Sequence, residues 1–432
     1  MRQHPPDVLV VGGGPAGAYT AWSLARAGVR VRVLDRARFP RDKPCSEYLS
    51  PEASRLLEAM GALRLVEDAG AARLAGMRVR APGGLTMQGD FAAAHGHRPH
   101  REHGLALRRP LLDAILLDCA RAAGAEVEEA VQVTGLTRDA RGAVIGVVAR
   151  AADGAALTRA ARLVVGADGL RSVVGARLGL VRRARRPRRI AIVTHFAGVR
   201  GMAPYGEMHV AADGYLGLAP VGGGLTNVAL VVPAAEMRRW PGDAARLLEA
   251  RIARDPALRE RFAGAARETS VRTTGPFAVR AHRAWAPGAA LVGDAADFYD
   301  PFTGEGIFAA LRGAELLAPF VGAALESTAT EGAGEALAAY DAARRDVFAG
   351  KWMVERLVAL AVAVPPILDG AVRAMRRRKS LADLLVGVAG DFVPPSAVLS
   401  LPFALTMLAL ALAPRPSSTG PRVDVPASPT GA

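Results

Sequence analysis

The feature that most constrains this chain is a glycine loop set between two short apolar runs near its start. Residues 7–34 read DVLVVGGGPAGAYTAWSLARAGVRVRVL, with Gly12, Gly14 and Gly17 in a G-x-G-x-x-G spacing. Residues 7–11 read as a buried parallel strand, residues 18–27 as an alanine-rich helix ended by Gly28, and residues 29–34 as a second strand. Such a β-α-β unit presents bare backbone at a helix N-terminus. There, free N–H groups and the positive end of the dipole face an anion. A dinucleotide pyrophosphate needs that close approach, and Pro15 and Ala16 complete the loop around it. Asp35 closes the second strand, where a carboxylate accepts from both hydroxyls of an adenosine ribose and repels a 2′-phosphate. The cofactor is therefore expected to be FAD or NAD rather than NADP. Arg36 either stacks near the adenine or is a solvated charge.

At 432 residues the chain exceeds one simple core, and two or three structural units are expected. It is 51% hydrophobic and only 5% aromatic, which favours a large aliphatic core and argues against disorder. The formal charge of +14 favours anionic cofactors, anionic lipid heads or acidic partners. No nucleic-acid partner is expected. Cys45 and Cys119 cannot form a disulfide framework, and no secretory leader opens the chain, so a cytoplasmic location is expected.

A second motif separates FAD from NAD. Residues 290–307 read ALVGDAADFYDPFTGEGI: a short strand, Gly293 and Asp294, a glycine-containing loop, then a helix from about residue 306. Here the chain resembles the flavoprotein group of para-hydroxybenzoate hydroxylase, the geranylgeranyl reductases and the flavin-dependent halogenases. The resemblance implies that Asp294 binds the ribityl chain of FAD and that Pro301, Gly304 and Gly306 pass beside the flavin ring. Ile307 then starts a helix whose N-terminus points at the flavin pyrimidine edge. A dipole so placed stabilises negative charge on a reduced flavin.

Four further segments extend the resemblance. GADGLRSVVG, residues 166–175, is similar to the group's D-G motif, which assigns Asp168 to the cofactor or to the loop around it; the alternative is a helix-capping turn. RRPLLD matches an arginine-containing helix that contacts FAD, and Arg109 has the two parallel N–H groups suited to a pyrophosphate. Gln132 and Val133 fall where the group's adenine-side strand lies. Residues 40–53, PRDKPCSEYLSPEA, resemble the K-x-C-G-G-x-L-S-P segment of geranylgeranyl reductase-like proteins, with Ser46, Glu47 and Tyr48 in place of the G-G-x. Cys45 is then a pocket-lining thiol or a redox-active one. The reductases' aromatic stretch survives only in outline as YLGLAP, with Gly217 at the tryptophan position, and the halogenases' W-x-W-x-I-P is missing. There is no second dinucleotide motif. This matches a group in which NAD(P)H binds transiently or another protein donates electrons.

The expected fold is α/β. A discontinuous FAD-binding domain spans residues 1–80, 104–180 and 281–345, and a β-sheet substrate domain spans 81–103 and 185–280. A helical C-terminal region covers 346–413, followed by a disordered tail, 414–432. The arginine-rich run 182–189 is expected to be an exposed connection. Histidines 95, 97, 100 and 103 suggest a solvated loop before they suggest a metal site. His195 and His209 either face a pocket or are structural. A helix over residues 398–413 reaches about 24 Å, short of the roughly 30 Å of a bilayer core. It is expected to pack on the body or dip into one leaflet as a peripheral contact.

These features describe an FAD-dependent oxidoreductase acting on a hydrophobic small molecule. Three chemistries remain open: hydride transfer to a carbon–carbon double bond, flavin-dependent oxygenation, and electron transfer with no small substrate. No residue declares itself catalytic.

Overall fold

The computed structural model describes residues 5–93, 96–183, 189–327 and 330–413. The arginine run lies partly outside them, as do His95 and the tail from residue 414. Five parallel strands form the first sheet in the order Ala289–Leu291, Leu163–Gly166, Val8–Val11, Val31–Asp35, Glu126–Glu129, with Trp285–Ala286 antiparallel at one edge. The strands Val8–Val11 and Leu163–Gly166 are buried along their whole length because helices cover the sheet. The helices Pro15–Arg26, Arg109–Ala122 and Gly306–Glu326 share its apolar core, through Leu24, Leu116, Leu311 and Leu317. Gly306–Glu326 is the one helix among the described residues that is long and apolar enough by itself to cross a membrane. More than half of its apolar window is buried in this core.

The larger sheet is mostly antiparallel and takes its strands from residues 76–90, 189–233 and 266–274. Alternation sorts its two faces. Ala191, Val193, Tyr215 and Val231 face the first unit and the C-terminal helices, while Ile192, Leu216, Val228 and Leu230 pack under Ala244–Arg254 and Pro256–Phe262.

Local chemistry explains several differences from the expected elements. The helical spacing of residues 247–262 predicts one helix there, but the structure has two, because Asp255 ends one and caps the next, which opens on Pro256. The apolar pattern of residues 127–134 predicts one strand, but the structure breaks it at Ala130, whose φ is 58°. The boundary expected between residues 80 and 81 cuts a hairpin: Gly76–Arg80 pairs with Thr86–Asp90 in the larger sheet. The boundary expected between 345 and 346 lies inside one continuous helix, Thr330–Ala363, which no proline interrupts before Pro365. Pro365–Arg377, Lys379–Ala389 and Leu401–Leu412 complete the C-terminal region.

Candidate active site

The glycine loop has no room for side chains. A Cβ on Gly17 would lie 1.8 Å from the Gly12 carbonyl oxygen, and one on Gly12, whose φ is +103°, would lie 2.5 Å from Ala167 O. The helix Pro15–Arg26 that follows has no acidic residue in its first turn and no side-chain cap, so its leading N–H groups are open to an anion. Asp35 is buried and already oriented: its Oδ2 accepts from Gly13 N at 2.7 Å and its Oδ1 from Ala37 N at 2.8 Å. Arg36 is exposed, and its side chain has no partner among the described residues. Val133 is buried beyond Val131, whose N–H donates to Asp35 O.

Cations gather at this loop. A Cβ on Gly14 would lie 3.5 Å from Arg41 Nη2 and 3.8 Å from Arg109 Nη2. The two parallel bonds of Arg109 go to Asp113, at 2.8 and 2.7 Å, and Arg41 contacts the same carboxylate at 2.7 Å. Burial opposes the charge on Arg109, yet Asp113 and Cys45 hold it above its usual range. Lys43 is pushed down by burial and by Arg109, and its ammonium has no hydrogen-bond partner among the described residues. Asp294 is pushed up by burial, against the pull of Lys43 and Arg109, and its carboxyl is likewise unpartnered. Buried polar groups left so are costly. A ligand carrying a pyrophosphate and sugar hydroxyls satisfies both, so the residues present fit FAD.

Asp168 has a different immediate task. Its carboxylate accepts from Ser172 Oγ at 2.5 Å and Val173 N at 2.6 Å, capping the helix Val173–Arg177. Its neighbours Ala167 and Gly169 line the cavity instead.

Gly293, with φ +62°, brings the second motif against the first: a Cβ there would stand 3.0 Å from Ala16 Cβ. Asp300 caps the turn Pro301–Thr303 through Phe302 N at 3.1 Å, Gly304 takes φ +74°, and Ile307 is buried in the first turn of Gly306–Glu326. Pro15, Ala16, Asp294, Pro301, Gly304, Gly306 and Ile307 line one cavity of about 240 Å³. Its far wall is apolar and comes from the larger sheet, through Ala191, Val193, Ala229 and Val231. Phe348 and Trp352 of the helix Thr330–Ala363 close it.

Two groups of residues escaped the sequence reading. Glu47 takes a family glycine position at φ +64° and is buried. Its carboxylate accepts from Arg109 N at 2.9 Å and Asn227 Nδ2 at 3.1 Å, and meets His195 Nε2 at 2.7 Å. A glycine replaced by a long acid was the only available signal. His195 is thus a structural residue, as is His209, which pairs with Glu207 at 2.9 Å; neither lines the cavity. The second group is buried Lys351, 2.8 Å from Glu305 and ion-paired to Asp391. Burial raises Glu305 well above its ordinary range, and Asp391 to about 6. Glu355, one turn beyond Lys351, is raised by burial to about 7. Nothing local in the sequence marked these positions.

Cys45 lines the cavity. No three potential metal ligands cluster among the described residues, and His100 pairs with Glu58 at 2.8 Å.

Comparison with known proteins agrees with this geometry. The profile of the family described as "FAD binding domain" matches residues 6–354. The chain is 29% identical to the menaquinone reductase of Mycolicibacterium smegmatis, over 90% of this chain and 92% of that protein. It is 31% identical to digeranylgeranylglycerophospholipid reductase 2 of Methanopyrus kandleri, over 71% of this chain and 74% of that protein. Among solved structures, the myxobacterial chondrochloren halogenase superposes with a TM-score of 0.72 at 27% identity, covering 81% of this chain and 82% of that one. PqsL of P. aeruginosa superposes with a TM-score of 0.68, also at 27% identity, covering 84% and 98%.

Proposed function

From its membership of the FAD binding domain family, to which this chain belongs, we propose that it reduces a carbon–carbon double bond of a hydrophobic, lipid-like small molecule. The protein is an FAD-dependent oxidoreductase. In this reading residues 12–17 and Asp35 hold the nucleotide end of FAD, Arg41, Lys43 and Arg109 neutralise its pyrophosphate, and Asp294 takes its ribityl chain. Residues 301–307 border the ring, which supplies hydride when reduced.

The observation that carries the proposal is the apolar wall of Ala191, Val193, Ala229 and Val231 set across the cavity from Gly304 and Gly306. It offers an alkyl chain an apolar surface to lie against. A cavity lined by apolar side chains in this way favours a small substrate over electron transfer to a protein surface. Kinship to a menaquinone reductase, covering nine-tenths of both chains, and to a digeranylgeranylglycerophospholipid reductase supports the same chemistry. The likeness to PqsL, named a probable FAD-dependent monooxygenase, keeps oxygenation as the second reading.

Substrate delivery completes the proposal. Leu401, Leu405, Leu408 and Leu412 form one exposed stripe of the helix Leu401–Leu412, while Phe403, Met407 and Leu410 face the body. Arg376 and Arg378 are exposed nearby, at the end of a helix that packs on this one. Such a face suits peripheral contact with an anionic membrane by a cytoplasmic protein. Electrons come from NAD(P)H, bound transiently, or from a protein donor.

The test is anaerobic. FAD-loaded protein is reduced and mixed with a polyprenyl quinone and, separately, a polyprenyl glycerolipid, and the products are weighed by mass spectrometry. A gain of two hydrogens is expected. Oxygen incorporation on admitting air, with no hydrogen gain beforehand, replaces reduction by oxygenation.

A further inference from the structure

Six carboxylates line the cavity: Glu207, Asp294, Asp297, Asp300, Glu305 and Glu355. Four are ion-paired, Glu207 with Arg261, Asp297 with Arg344, Asp300 with Arg189 and Glu305 with Lys351. Asp294 stands beside Lys43 on the cofactor side. Glu355 remains, with no hydrogen bond or ion pair to any described residue. It lies on the helix Thr330–Ala363, one turn past Lys351, on the face that closes the cavity.

We propose that Glu355 is the acid that protonates the substrate carbon when the double bond is reduced. This rests on the reductase reading above. One carbon receives hydride, two electrons and a proton, from the reduced cofactor; its neighbour receives the Glu355 carboxyl proton. The π bond is replaced by two C–H bonds, and Glu355 is left as a carboxylate that regains its proton from water. The apolar wall offers the substrate carbon no proton, and Glu355 is the unpaired carboxyl on the facing helix.

The surrounding charges suit the role. Lys351 and Arg356 face Glu355 from its own helix, Asp300 from the loop before Pro301–Thr303, and Asp391 from the turn after Lys379–Ala389. Glu305 adds a third acid at the start of Gly306–Glu326. The Lys351 ammonium is shared between Glu305 and Asp391, so it does not fix Glu355 as an anion. Burial holds the carboxyl near neutrality, where an acid both keeps and releases its proton.

FAD-loaded Glu355→Gln and Glu355→Asp variants test this. FAD content and the rate of cofactor reduction should equal the wild type. In Glu355→Gln, reoxidation by a polyprenyl substrate should slow on the order of a hundredfold in kcat, with KM little changed. Glu355→Asp should keep part of the rate with a displaced pH profile. An infrared carboxyl band that titrates near neutral pH should be present in the wild type and absent from Glu355→Gln. Wild-type turnover by Glu355→Gln, or the same infrared titration in both, overturns the proposal. A wild type that adds no hydrogen to any substrate overturns the reductase reading itself, and this proposal with it.

Discussion

Glu47 Oε2 lies 2.7 Å from His195 Nε2, and this contact joins the cysteine loop of the cofactor-binding unit to the larger sheet. The other carboxylate oxygen accepts from Arg109 N, at the start of the helix that carries the cation cluster. Asn227 Nδ2 donates both to Glu47 and to Cys45 O, at 2.8 Å in the second case. One side chain therefore sets the position of the cavity-lining loop against both walls.

Removing this clamp leaves buried donors without an acceptor. Glu47→Ala should cost about 3 kcal/mol of unfolding free energy. Glu47→Gly should cost about 1 kcal/mol less, because glycine tolerates the left-handed backbone. Denaturant midpoints measure both. A wild-type midpoint for Glu47→Gly would mean that the contacts contribute nothing beyond the strain they offset.

Asp294→Ala should separate binding from folding. FAD affinity should fall by roughly 1.5–3 kcal/mol, the loss of a charged acceptor for a buried hydroxyl. The cofactor-free protein should not lose thermal stability, because the deleted carboxylate is desolvated and unpartnered. Flavin fluorescence titration and thermal melts read the two effects. Unchanged FAD affinity would count against the ribityl assignment.

The cofactor-free protein should become more stable on mild acidification. Glu355 rises from 4.5 to about 7 on folding, so the folded state binds the extra proton. That contribution is complete below about 4.5 and is lost as pH climbs through about 7. Asp391, at about 6, and Asp294 act in the same direction. Moving from about pH 8 to about pH 6 should gain on the order of 1 kcal/mol from Glu355 alone. Chemical denaturation at the two pH values should show that increment, and Glu355→Gln should remove it.

Leu405 and Leu408 are 56% and 57% exposed, so replacing both with Glu removes no core contact. Melting temperature should move little, while co-sedimentation with anionic lipid vesicles should drop several-fold. Equal vesicle binding by variant and wild type would end the membrane-contact proposal.

The sequence disclosed the elements whose causes are local. The strand Val8–Val11, the glycine turn and the helix Pro15–Arg26 follow from apolar run, steric necessity and helix start, and all lie within a few residues of one another. The same holds for the approach to Asp294 and the turn at Gly304. Where the local cue is weak, the sequence is ambiguous. Pro256 reads as an interruption only once Asp255 is seen capping it, and Asp168 could be a ligand or a cap until its oxygens were placed on Ser172 and Val173.

The chain alone thus determined that a cradle for an FAD- or NAD-type dinucleotide forms, because backbone clearance and helix N-termini are set by neighbours in sequence. Only the tertiary structure decided which charges meet. Glu47 finds His195, and Lys351 finds Glu305 and Asp391, across long stretches of chain. The physical reason is that burial and ion pairing depend on which surfaces pack together, and no spacing within a segment records that choice.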